Sequence, residues 1–154
     1  MKRVECESLA ALSAAAASFL ERLPSFSDRA TVVGLSGDLG AGKTAFVKAL
    51  AEHLGITEHV TSPTFVLQKT YPISVPHSPF PVPKFSSLTH VDAYRLESAD
   101  ELQKIGWKET CASPRTLVAI EWPEQVPGAM PPDAVQLRFE WVSDGTRAIT
   151  FPDL

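Results

Sequence analysis

The sequence contains no asparagine. Nucleotide switches that select guanine use an Asn-Lys-x-Asp block, so its absence argues against that class. Cysteine is scarce. Cys6 and Cys111 stand far apart, in no CxxC pair and no metal-type spacing, which leaves two reduced, structural thiols. Positive charge is not in excess: 14 Lys and Arg face 18 Asp and Glu, for a net charge of −4. That argues against nucleic-acid binding by bulk electrostatics. No apolar run reaches the ~18 residues of a membrane span. The alanine-rich stretch Ala10–Phe19 is interrupted by Ser13 and Ser18 and reads as a helix rather than a signal-peptide core. No membrane association is expected, and the cytoplasm is the expected location. Internal repeats are also missing. What is present is an ordinary apolar content of 44% over 154 residues, enough for one domain, 1–154, with a real core.

Apolar periodicity predicts a helix over Glu7–Leu23, with Leu9, Leu12, Ala16, Phe19, Leu20 and Leu23 on one face and Pro24 as its stop. Ala30–Leu35 is short and rich in β-branched residues, as a buried strand is. Lys43–Leu54 is the next helix, ended by Gly55. Val60–Tyr71 reads as a loop with an extended segment around Ser62-Pro63-Thr64. Pro72–Pro83 holds five of the 13 prolines and cannot be a helix or a central strand, so an exposed loop is expected over about 72–86. Ser87–Asp92 is a strand. Ser98-Ala99-Asp100-Glu101 has the form of a capping box, opening a short helix that ends near Gly106. Thr116–Ile120 is a third buried strand, ending at Glu121. Val135, Leu137, Phe139 and Trp141 alternate, Asp144-Gly145 signals a hairpin, and Ile149 and Phe151 continue the return. The expected fold is α/β: a P-loop NTPase-like central sheet flanked by helices, closed by a C-terminal antiparallel hairpin.

Gly37-Asp38-Leu39-Gly40-Ala41-Gly42-Lys43-Thr44 satisfies G-x-x-x-x-G-K-[ST] in full, with a strand before it and a helix after it. Glycines let successive N–H groups turn toward phosphate oxygens. The helix N-terminus adds unpaired N–H groups and the positive end of its dipole. Lys43 can reach the β- and γ-phosphates, and Thr44 can place its hydroxyl on Mg²⁺. ATP and Mg²⁺ are the expected cofactors.

Mg²⁺ takes hard oxygen ligands, often one or two carboxylates beside phosphates and water. Two acids end apolar strands, where ligands of open α/β sheets bind. Glu121 follows Leu117–Ile120 and is assigned to the metal, directly or through water. Asp92 follows Ser87–Val91 and is assigned to organising Mg²⁺ or the attacking water. His90 shares a strand face with Asp92 and reads as a structural histidine. Trp122 fits either the core or the mouth of the site.

Taken in order, Gly37–Thr44, Ser62-Pro63-Thr64-Phe65, His90-x-Asp92-x-Tyr94-Arg95-Leu96 and Glu121-Trp122-Pro123-Glu124 resemble the signature blocks of TsaE, the small ATPase of bacterial tRNA threonylcarbamoyladenosine (t6A) synthesis. The likeness covers roughly residues 30 to 124. It implies slow ATP hydrolysis. It also implies work with the TsaD–TsaB pair, which modifies A37 of tRNA, so that tRNA is reached indirectly. The implied task is to reset that complex rather than to carry the group. Carried onto this chain, the resemblance makes Thr44 and Glu121 the Mg²⁺ pair. It wraps Gly40, Ala41, Gly42, Lys43, Thr44 and Ala45 around the phosphates. Ser62, Pro63 and Thr64 become a switch-like loop, and Lys43, Asp92 and Glu121 the catalytic set. Ala45 replaces the second hydroxyl residue usual after Lys-Thr, and the proline-rich segment is longer than usual.

Two other readings compete. A small P-loop kinase would bring an arginine-rich lid, whereas Arg95, Arg115, Arg138 and Arg147 are scattered. A non-hydrolysing, nucleotide-dependent assembly module would not require both Asp92 and Glu121. No arginine sits in the motif as an internal finger, so hydrolysis is expected to be slow alone and faster with partners.

Overall fold

The computed structural model describes residues 1–63, 67–73 and 84–154. Its strands are β1 (Lys2–Cys6), β2 (Thr31–Gly37), β3 (Gln68–Pro72), β4 (Ser87–Asp92), β5 (Thr116–Glu121), β6 (Val135–Ser143) and β7 (Thr146–Phe151). Its helices are α1 (Leu9–Arg22), α2 (Lys43–His53), α3 (Ala99–Lys104) and α4 (Trp107–Cys111). The strands form one mixed sheet in the order β1-β7-β6-β2-β5-β4-β3. β6, β2, β5 and β4 run parallel, while β3 is antiparallel to β4 and β7 is antiparallel to both β6 and β1.

Helices α1 and α2 cover one face. Leu12, Phe19 and Leu20 of α1 and Phe46, Val47 and Leu50 of α2 pack on Val33, Leu35, Leu117, Leu137 and Ile149. Phe46 is central, with its ring 5.9 Å from Phe19 and 5.4 Å from Phe139. Such tilted pairs add about 0.5–1.5 kcal/mol each beyond area burial. On the opposite face, Val32, Val91, Val118 and Ile120 meet Leu102 and Trp107 from α3 and α4. That cover stops at β2. Arg138 of β6 and Arg3 and Glu5 of β1 stand exposed beyond it.

The α/β sheet and its closing hairpin match the expectation, with a two-residue Asp144-Gly145 turn and Gly145 at φ +85°. Several details differ. α1 starts two residues later than expected, because Ser8 caps it by accepting from the Ala11 N–H at 3.1 Å. β1 is a strand that Lys-Arg-Val-Glu-Cys does not announce, since three of its five residues are charged. The extended piece between α2 and β4 lies at Gln68–Pro72, not around Ser62-Pro63, because Tyr71 buries its ring there opposite Leu88. Pro72 is tolerated because β3 is an edge. Among the described residues, Ser98 makes no capping hydrogen bond. Glu101 instead accepts from the Glu97 N–H at 2.6 Å, one residue earlier than a capping box requires. Most of the proline-rich stretch, with Thr64 and Phe65, lies outside the described residues.

Candidate functional site

The parallel strands deliver their C-terminal ends to one edge of the sheet. β2 ends at Gly37, where φ is +133° and a Cβ would stand 2.2 Å from the Phe139 carbonyl oxygen, so only glycine fits. The chain turns through Gly40 (φ +76°) and Gly42 (φ +102°), both in the left-handed region that glycine enters without strain. Gly42 then starts α2, whose first N–H groups have no intrahelical acceptor and face the loop. Leu39 to Ala45, with Glu121 and Trp122, line a cavity of about 200 Å³. Gly40, Ala41, Gly42, Lys43, Thr44 and Ala45 therefore wrap a single space.

The Lys43 ammonium donates to the carbonyls of Gly37 and Asp38, the latter at 2.8 Å, and sits 3.8 Å from the centre of the Trp122 ring. Burial pushes its pKa below the usual lysine range, and the carboxylates of Glu121, Glu124, Asp38 and Asp92 pull it part of the way back. A desolvated cation held by carbonyls and a π face is poised to take an anion. Trp122 itself sits at φ +60°, half-buried, with its ring 5.0 Å from that of the exposed Tyr94. Trp122 thus stands at the mouth of the site while part of it packs on the α3–α4 core.

Parallel register places Asp92 opposite Glu121. Glu121 is only 3% exposed, and the Thr44 hydroxyl donates to it, lying 2.9 Å from Oε1 and 3.1 Å from Oε2. Asp92 is less buried. Its Oδ1 accepts the Tyr94 N–H at 3.0 Å, and its Oδ2 accepts the Ser62 hydroxyl at 3.0 Å. Pro63 is buried beside Ser62, and its carbonyl accepts the Leu67 N–H at 2.7 Å. Among the described residues, no three His, Cys, Asp or Glu side chains gather to hold a metal unaided. One hydroxyl and one carboxylate on a phosphate-sized space instead suit Mg²⁺, which completes its shell with phosphate and water.

Lys43, Thr44, Asp92 and Glu121 are thus brought together, with Ser62 tied to Asp92. Two participants were not legible as such. His90, expected to be structural, puts Nε2 2.7 Å from Glu121 Oε1. Arg147 on β7 donates from Nε to the Gly40 carbonyl at 2.9 Å and from one terminal nitrogen to the Ser143 and Thr146 carbonyls. Its signal was a charge heading the inward row Arg147, Ile149, Phe151. Beside it, Ser8, Leu9, Leu12, Gly145 and Arg147 help line a largely apolar cavity of about 420 Å³ that reaches Gly40 and Gly42.

A family model described as "Threonylcarbamoyl adenosine biosynthesis protein TsaE" matches residues 6–149. The chain belongs to the TsaE family. The tRNA threonylcarbamoyladenosine biosynthesis protein TsaE of Treponema pallidum is 40% identical over 123 residues, covering 80% of this chain and 82% of that one. The TsaE of Bacillus subtilis is 36% identical over 126 residues, covering 82% and 72%. In three dimensions, the crystal structure of YdiB from Bacillus subtilis aligns with a TM-score of 0.71 at 28% identity, over 97% of this chain and 83% of that one. The family match ends at residue 149, within β7, so the family likeness extends past the signature blocks into the hairpin that carries Arg147. The α/β architecture expected for TsaE is the one observed. Among the described residues, no helix is long and apolar enough to cross a membrane.

Proposed function

We propose that this TsaE-family chain binds ATP with Mg²⁺ at the Gly37–Thr44 loop and hydrolyses it slowly. Its task is then t6A modification of tRNA in the cytoplasm, with TsaD and TsaB homologues as partners and tRNA reached through them. The observation that carries the reading is the Thr44 hydroxyl resting on the buried Glu121 carboxylate at the mouth of the loop.

Thr44 and Glu121 would hold the metal. When bound, Mg²⁺ neutralises phosphate charge and polarises the phosphoryl oxygen. Loop N–H groups and the α2 N-terminus orient the phosphates. Lys43 leaves the Gly37 and Asp38 carbonyls for the β- and γ-phosphates, where an anion repays its desolvation. Asp92 positions the attacking water, and Ser62, with Pro63 and Thr64, forms the loop that responds to the terminal phosphate. The base occupies the apolar cavity between Ser8–Leu12 and Arg147. Adenine is favoured because the asparagine that reads guanine is absent from the chain. Charge −4 fits tRNA contact through partners better than direct binding.

The test separates binding from turnover. Asp92→Asn should keep ATP affinity within a few-fold while turnover, measured with the TsaD and TsaB homologues present, falls by about 10²-fold or more. No turnover in the wild type with partners present, and altered partner binding in Asp92→Asn, would favour the non-hydrolysing assembly module.

A further inference from the structure

We propose that His90 is a positioning residue that fixes the orientation of the Glu121 carboxylate. The proposal deepens the Mg²⁺ reading above and rests on it.

β4 and β5 run parallel with His90 opposite Ala119 and Asp92 opposite Glu121. His90 and Glu121 therefore project from the same sheet face, the one α2 covers. His90 is fully buried and Glu121 is nearly so. Imidazole Nε2 lies 2.7 Å from Glu121 Oε1, while Nδ1 is buried with no hydrogen-bond partner among the described residues. A carboxylate offers only acceptors, so the ring must carry its hydrogen on Nε2 to use this contact. The orphaned Nδ1 agrees, because a hydrogen there would be buried with nothing to receive it.

Oε1 is thus anchored from the strand side. The Thr44 hydroxyl approaches the same group from the loop side. With one oxygen tied down, the carboxylate cannot rotate about its terminal bond without losing a buried hydrogen bond, and Oε2 stays turned to the loop. Groups that ligate metals are typically oriented by such outer partners. Packing alone does not account for His90: leucine would fill an apolar site without burying an unpaired nitrogen.

The test measures Mg²⁺ affinity for the protein loaded with a non-hydrolysable ATP analogue, by calorimetry. Analogue affinity in EDTA and the thermal midpoint are measured alongside. His90→Gln can place its amide nitrogen near the Nε2 position, whereas His90→Asn and His90→Leu cannot reach Glu121. Expected is Mg²⁺ binding weakened about 10- to 100-fold in His90→Asn and His90→Leu, recovered in His90→Gln, with metal-free analogue binding unchanged in all three. The proposal is overturned if His90→Asn and His90→Gln bind Mg²⁺ alike, whether both as wild type or both weakly. That pair of polar variants decides even if His90→Leu does not fold. Glu121→Ala separates the layers. Lost Mg²⁺ binding there with wild-type binding in His90→Asn sinks the His90 role alone, and unchanged binding in Glu121→Ala sinks the metal reading and the His90 role together.

Discussion

β2 divides the sheet into a parallel half, β2-β5-β4, covered by helices on both faces, and a ribbon, β6-β7-β1, covered on one. The parallel half brings Asp92 and Glu121 to its C-terminal edge and buries Glu121 against His90 and Thr44. The ribbon's Glu140 borders a cavity with Gly37 and Asp38 but is paired with Arg3. The ribbon contributes Arg147, which fastens the Gly40 carbonyl, and one wall of the apolar cavity. Parallel strands all point their ends at one edge, so acids there converge. Antiparallel strands split their ends between two edges, so β7 reaches Gly40 through Arg147, close to its turn.

A matched pair of acids gives the largest contrast. Glu121→Ala should weaken Mg²⁺-dependent nucleotide binding by more than the ~100-fold upper range for losing an outer partner. Glu140→Ala on β6, whose carboxylate is half-exposed and pairs with Arg3 at 3.3 Å, should leave binding unchanged. Equal effects would erase the division of labour. Next in size is the seam between the halves. Gly37→Ala forces a Cβ to within 2.2 Å of the Phe139 carbonyl and should cost about 1–3 kcal/mol in urea denaturation. Gly145→Ala, at φ +85° and with no atom of the described residues within 4 Å of the added Cβ, should cost less, about 1 kcal/mol.

The ribbon's own contribution is smaller. Arg147→Ala should weaken nucleotide binding about 5-fold, or about 1 kcal/mol, with the Mg²⁺ dependence intact. A collapse of Mg²⁺ dependence would move Arg147 into the metal site. The effect that vanishes at neutral pH concerns Cys111 at the end of α4, whose thiol burial and the nearby Asp133 push up to about 11. The folded chain keeps this proton while the unfolded chain, near 9.0, releases it. Stability should therefore fall as pH climbs from about 9 to about 11, and Cys111→Ser should remove that part of the loss. Alkylation of native Cys111 should follow the same delayed rise with pH.

The parallel half was also the more legible in sequence. Its strands are apolar runs ending in a glycine loop or an acid, and each signal is local. The hairpin was legible from alternation and Asp144-Gly145. β1 was not, because strand identity there comes from pairing with β7 rather than from Lys-Arg-Val-Glu-Cys itself. α4 escaped for a similar reason: a five-residue helix shows too little periodicity, and Trp107 holds it by burial and a bond to the Ala129 carbonyl at 2.8 Å. Within the site, the P-loop, Asp92 and Glu121 were readable as residue types at strand ends. The contact of His90 with Glu121 and of Arg147 with Gly40 depends on register across 31 and 107 residues, which no local pattern encodes.

The most direct test of the account is a crystal structure of the chain with Mg²⁺ and a non-hydrolysable ATP analogue. The account predicts phosphates wrapped by Gly40–Ala45, Lys43 moved from the Gly37 and Asp38 carbonyls onto them, and the metal beside Thr44 and Glu121. A nucleotide seated elsewhere, or a metal held away from both Thr44 and Glu121, would contradict it.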